Sequence, residues 1–482
     1  MTTRITLLAP AFVLPALLFA CSADDPPAEG TTETSTTETS TTGDGDGDGD
    51  GDGDPGDGDG DPAECGNGMV EGDELCDDAN DVENDFCTSA CTNPCAVEWS
   101  AETARLSDSF LFSKLARSGA GDLYVVGQQT EGDADPVGWV AKFGPMGEGP
   151  SWEATITGVP GEAASVAIAV DEAGDAYAAG WRPGADGDDI WIARFAAADG
   201  SQVWVHEHDG AAEGDDQASD LALAADGVVA IGTVRDVDQD SDIWVRKLDF
   251  DGNELWTSTY SGPMADNGFS LDGGTSLALA EDGTVYAAGQ IYVDFETKDT
   301  VVLRFAADGS GPEQELTPAA GGTGHDHYPH SLVRDPAGNL YLGIRDLSSP
   351  LSTFWVHKLD GVTGDVLWTS SNADVALGED EDPSNWDMLR LTTVGDRLAF
   401  GGPRLIENWN GAGSSRWESW LAQVDAEGNL LCLASYANPD DAPELRVLTG
   451  LTEVDGEVLA AGWAELPDGG LGMFFAGFGS PN

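Results

Sequence analysis

Half of the chain's six histidines fall in the stretch HDHYPH: His325, His327 and His330. His-x-His-x-x-His could hold Zn²⁺ or Cu²⁺ through imidazole nitrogens and leave a coordination position open for water or substrate. Three histidines grouped by chance in a loop between repeats are the competing reading. A second candidate is acidic. DVDQDSD sets Asp236, Asp238, Asp240 and Asp242 at every second position, and Asp133/Asp135 and Asp186/Asp188/Asp189 occupy the same loop in two other repeats. Alternating carboxylates suit Ca²⁺. The glycine at the sixth and the glutamate at the twelfth position of a calcium loop are missing, so solvated acidic loops compete with a cation site. A third set is aromatic: Trp181, Trp386, Trp409, Trp417 and Trp463 could form a platform for a glycan or peptide, or could pack their own loops down. Calcium and zinc are therefore cofactors the residues allow and do not require. Catalytic motifs are missing: there is no G-x-S-x-G, H-E-x-x-H or P-loop. With 88 acidic residues, finding some carboxylate pair for acid–base work carries no information.

The elements that must position these residues repeat along the chain. GDLYVVG, GDAYAAG, DGVVAIG, DGTVYAAG, GNLYLGI, GDRLAFG and DGEVLAAG recur, centred on Tyr124, Tyr177, Val229, Tyr286, Tyr341, Leu398 and Leu459, with steps of 52 to 61 residues. Each is followed by a strand such as WVAKF or WIARF, then by a turn and a third strand such as QVWVHEH or ELWTSTY, and is preceded by a fourth such as SVAIAV or DLALA. Period-2 patterning, aromatic and β-branched residues and Gly/Asp turns indicate short antiparallel strands. Four strands repeated seven times predict an all-β, seven-bladed β-propeller in which stacked blades build the core. The recurring tryptophans are expected to pack blade against blade.

The seventh repeat stops at FFAGFGSPN without its outer tryptophan strand, while Trp99 stands alone ahead of the first repeat. Trp99 precedes Tyr124 by 25 residues, as Trp152 precedes Tyr177 and Trp204 precedes Val229. The segment carrying Trp99 is therefore expected to close the last blade, which removes the exposed edges of an open ring. EGNLLC aligns with DGNELW, so Cys432 takes a tryptophan slot in the sixth blade. It is either a small buried thiol or a partner for Cys95, four residues before Trp99. The first-to-second and third-to-fourth turns are short. The second-to-third and blade-to-blade loops are long, share one face, and form the expected binding surface.

Four segments are expected: 1–20 a signal peptide, 21–62 a linker, 63–95 a cysteine-rich module and 96–482 the propeller. One arginine, Arg4, precedes an apolar run ending in LFAC, a pattern similar to the lipobox of bacterial lipoproteins. That resemblance implies cleavage before Cys21 and lipidation of its thiol, against an ordinary secretory signal with an incidental cysteine. Ser22 in place of Asp removes the enteric inner-membrane retention signal, so the outer membrane or cell surface of the envelope is expected. Thr/Ser and Gly-Asp low-complexity stretches follow, which bury nothing and act as a spacer or, at most, a weak Ca²⁺ buffer. Cys65, Cys76, Cys87 and Cys91 then sit among turn formers, as in a small disulfide-stapled module, with zinc as the alternative. CGNGMVEGDELCDDAN followed by DFCTSAC resembles the myxobacterial cysteine-rich repeat, with Asp73, Ala79 and Phe86 replacing glycines. The resemblance implies a cell-envelope protein and no particular chemistry.

KLDGVTGDVLW resembles the tryptophan-docking motif of pyrroloquinoline-quinone-like propellers through Asp360, Thr363, Gly364 and Trp368, with Lys358 in place of Ala. The motif is structural and brings no cofactor with it. No vicinal cysteine pair is present, so a quinone enzyme is not expected. The balance of 20 basic against 88 acidic residues, net −68, disfavours nucleic acid and anionic lipid and favours cations and basic partners. The expected function is a surface-displayed, monomeric, non-enzymatic binding or scaffold lipoprotein, touching the membrane through its anchor alone and taking a protein or glycan on the long-loop face. An exported metal-dependent hydrolase or lyase is the alternative. A third reading, by analogy with eight-bladed scaffold lipoproteins, is outer-membrane assembly.

Overall fold

Runs such as AYAAGW place alternate side chains on opposite faces, and each face meets a neighbouring sheet. The structure, a computed structural model, describes residues 93–103, 106, 109–130, 134–156, 163–210, 212, 214–235, 240–264, 271–294, 297–316, 327–346, 353–372, 374, 389–406, 416–436, 446–454, 456–466 and 471–479. Cys21, Cys65, Cys76, Cys87 and Cys91 lie outside the described residues.

The ring begins with β1 (Val97–Glu102), whose sheet is completed at the other end of the chain. The first blade is β2 (Ser109–Arg117), β3 (Leu123–Thr130), β4 (Val137–Phe143) and β5 (Trp152–Ile156). The second is β6 (Ala164–Val170), β7 (Ala176–Pro183), β8 (Asp188–Phe195) and β9 (Gln202–His208). The third is β10 (Gln217–Ala224), β11 (Gly227–Arg235), β12 (Ser241–Leu248) and β13 (Glu254–Tyr260). The fourth is β14 (Gly273–Leu279), β15 (Val285–Tyr292), β16 (Lys298–Phe305) and β17 (Gln314–Leu316). The fifth is β18 (His327–Arg334), β19 (Leu340–Asp346), β20 (Thr353–Leu359) and β21 (Val366–Ser371). The sixth is β22 (Arg390–Val394), β23 (Arg397–Ile406), β24 (Arg416–Val424) and β25 (Leu430–Tyr436). The seventh is β26 (Arg446–Val454), β27 (Glu457–Glu465), β28 (Leu471–Phe478) and, on its outer edge, β1.

The expected closure is therefore present. β1 runs antiparallel to β28, with Trp99 opposite Gly477 and Glu102 opposite Phe474. The innermost strands touch in succession, β2 to β6, β10, β14, β18, β22 and β26, and β26 returns to β2. The ring thus has seven sectors around a central channel. A disulfide joins Cys95, just before β1, to Cys432 on β25, with Cα atoms 5.8 Å apart. It ties the sixth blade to the strand that completes the seventh.

Blade-to-blade packing follows from one repeated arrangement. The Trp204 indole N–H donates to the Phe250 carbonyl at 3.0 Å, Trp152 to Ala197 at 3.2 Å, Trp256 to Ala307 at 3.1 Å and Trp368 to Ala426 at 3.0 Å. In each case the ring lies over a glycine of the next blade's third turn. A Cβ on Gly252, whose φ is +85°, would sit 2.8 Å from the Trp204 ring. A basic side chain opposite the tryptophan often grips the same carbonyl: Arg194 donates to Phe250 at 3.0 Å and Lys358 to Ala426 at 2.8 Å. These cations also cover the tyrosine of the second strand, Lys142 over Tyr124, Arg194 over Tyr177 and Lys358 over Tyr341. The recurring tryptophans are packing residues, as the sequence implied. Several of the few basic residues are spent between blades.

Candidate functional site

The inner strands share a second repeated feature. Six of them carry a bulge at one aligned position, placing Ser113, Val166, Ser219, Thr275, His330 and Thr449 out of register. Across from the bulge stands the glycine of the second strand. A Cβ on Gly180, Gly232 or Gly462 would strike a carbonyl oxygen of the adjacent inner strand, which explains the glycine closing YAAG, VAIG and LAAG. Bulges re-aim side chains, and beside them Lys114, Asp220 and Ser276 bring polar groups together.

Lys114 on β2 forms an ion pair with Asp220 on β10, bridging the first blade to the third past the second. Asp220 is 3% exposed. Its carboxylate also accepts from Ser276 Oγ at 2.9 Å and from the Leu221 and Leu277 N–H groups at 2.7 and 3.1 Å. Ser276 Oγ in turn accepts from the Leu332 N–H at 3.1 Å, which carries the network to the fifth blade. Arg390, at the start of β22, donates from Nε to the Thr449 carbonyl at 2.7 Å. Burial brings its pKa down to about 10, opposed by the attraction of Asp220. A third-blade carboxylate acts on a sixth-blade guanidinium only across the middle of the ring. His330, from the fifth blade, is driven to about 3 by burial and by the positive charges of Arg390 and Arg345, so its imidazole is neutral. The group can hold a polar ligand and can supply neutral and cationic hydrogen-bond donors.

A second, partly buried group lies between blades two and three. Arg246 donates to His206 Nε2 at 2.8 Å and sits over the Trp244 ring, against which His208 stacks with centroids 5.3 Å apart. Burial lowers both histidines, His208 to about 4, with Arg246 adding to each shift.

The residues singled out in the sequence are placed as follows. His327 and His330 are strand residues of β18 and not part of a connecting loop, because the pairing of β18 with β19 begins at His327. His327 Nδ1 lies 3.3 Å from Asp299 Oδ1 of the fourth blade, whereas His330 interacts with Arg390 of the sixth. The two imidazoles serve opposite sides of one sheet, and His325 lies outside the described residues. Asp240 and Asp242 flank the start of β12, Asp240 buried and Asp242 half-buried, while Asp236 and Asp238 lie outside the described residues. Among the described residues no three His, Cys, Asp or Glu side chains gather to hold a metal. Trp181 and Trp463 occupy corresponding positions on β7 and β27, each directly after the second-strand glycine, with the first blade between them. Trp463 packs into the apolar interface of the seventh and first blades. Trp417 lies on β24, and Trp386 and Trp409 lie outside the described residues.

Lys114, Asp220, Ser276, Arg390 and Thr449 were missed. Their signal is present in the sequence: a polar residue interrupts otherwise apolar inner strands, as in SKLAR, SDLALA and TSLALA. The bulges that lie beside Lys114, Asp220 and Ser276, and at Thr449, are invisible there.

No family model matches the chain, and no curated protein does. Solved structures share the architecture. The polysaccharide lyase Uly1 aligns over 80% of this chain and 99% of its own, at 10% identity and a TM-score of 0.51. A quinohemoprotein alcohol dehydrogenase from Pseudomonas putida HK5 aligns over 81% of this chain and 77% of its own, at 9% identity and a TM-score of 0.40. Sqt1 of Chaetomium thermophilum, bound to the N-terminus of ribosomal protein L10, aligns over 77% and 99%, at 12% and 0.41. At such identities the likeness is one of fold, and the chain is an all-β, seven-bladed propeller closed by its own N-terminal strand.

Proposed function

We propose that the protein is a binding or scaffold lipoprotein of the cell envelope, held at the surface through Cys21, whose long-loop face takes a protein or a glycan. The observation that carries this reading is the strand order. In every blade the antiparallel sequence sends the second-to-third and the blade-to-blade connections out of the same face. The opposite face is filled by short turns stabilised from within. Asp171, Asp249, Asp335 and Asp425 each accept backbone N–H groups of their own turns. The variable residues are left to the long-loop face, on a rigid ring. The Cys95–Cys432 disulfide supports an extracytoplasmic location. The acidic surface, net −68, favours a partner with basic groups.

The test is replacement of residues 407–415 by a glycine-serine segment of equal length. The parent is screened against a glycan array and by cross-linking on intact cells. Binding weakened at least about tenfold, with unchanged melting, supports the reading. Full binding by the variant overturns the face assignment. Zinc-dependent hydrolysis or elimination by the purified protein would replace this reading with an enzyme.

A further inference from the structure

One positive charge in the channel wall lacks a counter-ion. Arg390 donates from Nε to the Thr449 carbonyl and from Nη1 to the Leu389 carbonyl, at 2.7 and 3.4 Å. Three of the five guanidinium N–H donors remain. Among the described residues no carboxylate contacts it. Asp220, whose charge reaches it, is already engaged by Lys114, Ser276 and two backbone N–H groups. Two more polar groups beside it are incomplete. His330 Nε2 and the Thr449 hydroxyl are both buried without a hydrogen-bond partner. Thr449 is wholly buried, and its carbonyl is the one Arg390 grips. Buried polar groups are almost always satisfied, and the half-buried Arg390 guanidinium beside these two has N–H donors to spare. Three missing partners in one place are most simply supplied by one molecule.

We propose that the channel binds a small carboxylate-bearing molecule, its carboxylate held by the Arg390 guanidinium and hydrogen-bonded by the His330 imidazole and the Thr449 hydroxyl. The planar guanidinium fork matches a carboxylate in two parallel hydrogen bonds. A neutral imidazole donates from Nε2–H, and the hydroxyl rotates to donate. The site lies in the ring wall near the starts of the inner strands and does not depend on what the long loops bind.

The test follows melting of the full-length protein with acetate, malonate and glucuronate, against phosphate and sulfate at matched ionic strength. A saturable rise in Tm with at least one carboxylate is expected, and Arg390→Gln is expected to weaken that binding at least about tenfold. Without ligand, Arg390→Gln should melt close to the parent, because the half-buried guanidinium has no carboxylate contact to lose. His330→Phe should also bind more weakly while remaining folded. The proposal is overturned if no carboxylate raises Tm, if the rise survives Arg390→Gln, or if unliganded Arg390→Gln melts well below the parent. A response confined to phosphate or sulfate overturns the carboxylate assignment.

Discussion

His357 is 4% exposed, and its Nδ1 lies 2.8 Å from Thr369 Oγ1. Burial, with a smaller push from His327, lowers its pKa to about 4, so it is neutral in the folded chain. The unfolded chain takes up that proton first as pH falls, because an unfolded histidine titrates near 6.5. Stability contributed by the neutral imidazole is therefore complete above about pH 6.5 and is lost toward pH 4, at roughly 1.4 kcal/mol per unit. His357→Asn keeps a polar group near Thr369 and removes the titration. Its Tm should fall less steeply than the parent's across that window. Parallel curves would show that His357 does not titrate as argued. The same sign applies to His208 and His330, whose pKa values are also lowered by burial.

At the scale of the strand and turn, the docked tryptophan is the unit of assembly. Trp204 lies over Gly252, where φ is +85° and a Cβ would come within 2.8 Å of the ring. Gly252→Ala must therefore strain the backbone and lift the ring off its site. A destabilisation of about 1–3 kcal/mol is expected in thermal or urea unfolding. An unchanged midpoint would mean that the ring moves freely and that the docking contributes little. The motif around Trp368 was legible because its parts are local. Asp360 accepts the Val362 and Thr363 N–H groups at 2.9 and 2.8 Å, which shapes the turn before the tryptophan strand. Lys358, which departs from the motif, is accounted for by its bond to the Ala426 carbonyl in the next blade. That reason lies 68 residues away and is not visible in the motif.

At the scale of the ring, closure depends on residues at opposite ends of the chain. Cys432 stands where the first, second, third and fifth blades place a docking tryptophan, and its disulfide reaches back 337 residues to Cys95. A cross-link over so long a loop stabilises by roughly 6 kcal/mol if it acts through chain entropy alone. Cys95→Ser is expected to lower Tm and to raise hydrogen exchange first in β1, which hydrogen bonds and the Trp99 contacts would then hold alone. Unchanged exchange in β1 would show that strand pairing suffices without the covalent tie.

The blade count, the strand order and the borrowed outer strand were determined by the sequence itself, because period-2 patterning, turn residues and the 25-residue spacing of Trp99 to Tyr124 are local or periodic signals. The Cys95–Cys432 bond could be posed there and not decided, since it depends on a distance between chain ends. Only the tertiary structure separated His327 from His330, because which side of a sheet a residue serves changes at a bulge. It alone gathered Lys114, Asp220, Ser276, His330, Arg390 and Thr449 around one channel. Six residues from six blades share no sequence neighbourhood, and only closing the ring brings their charges within reach of one another.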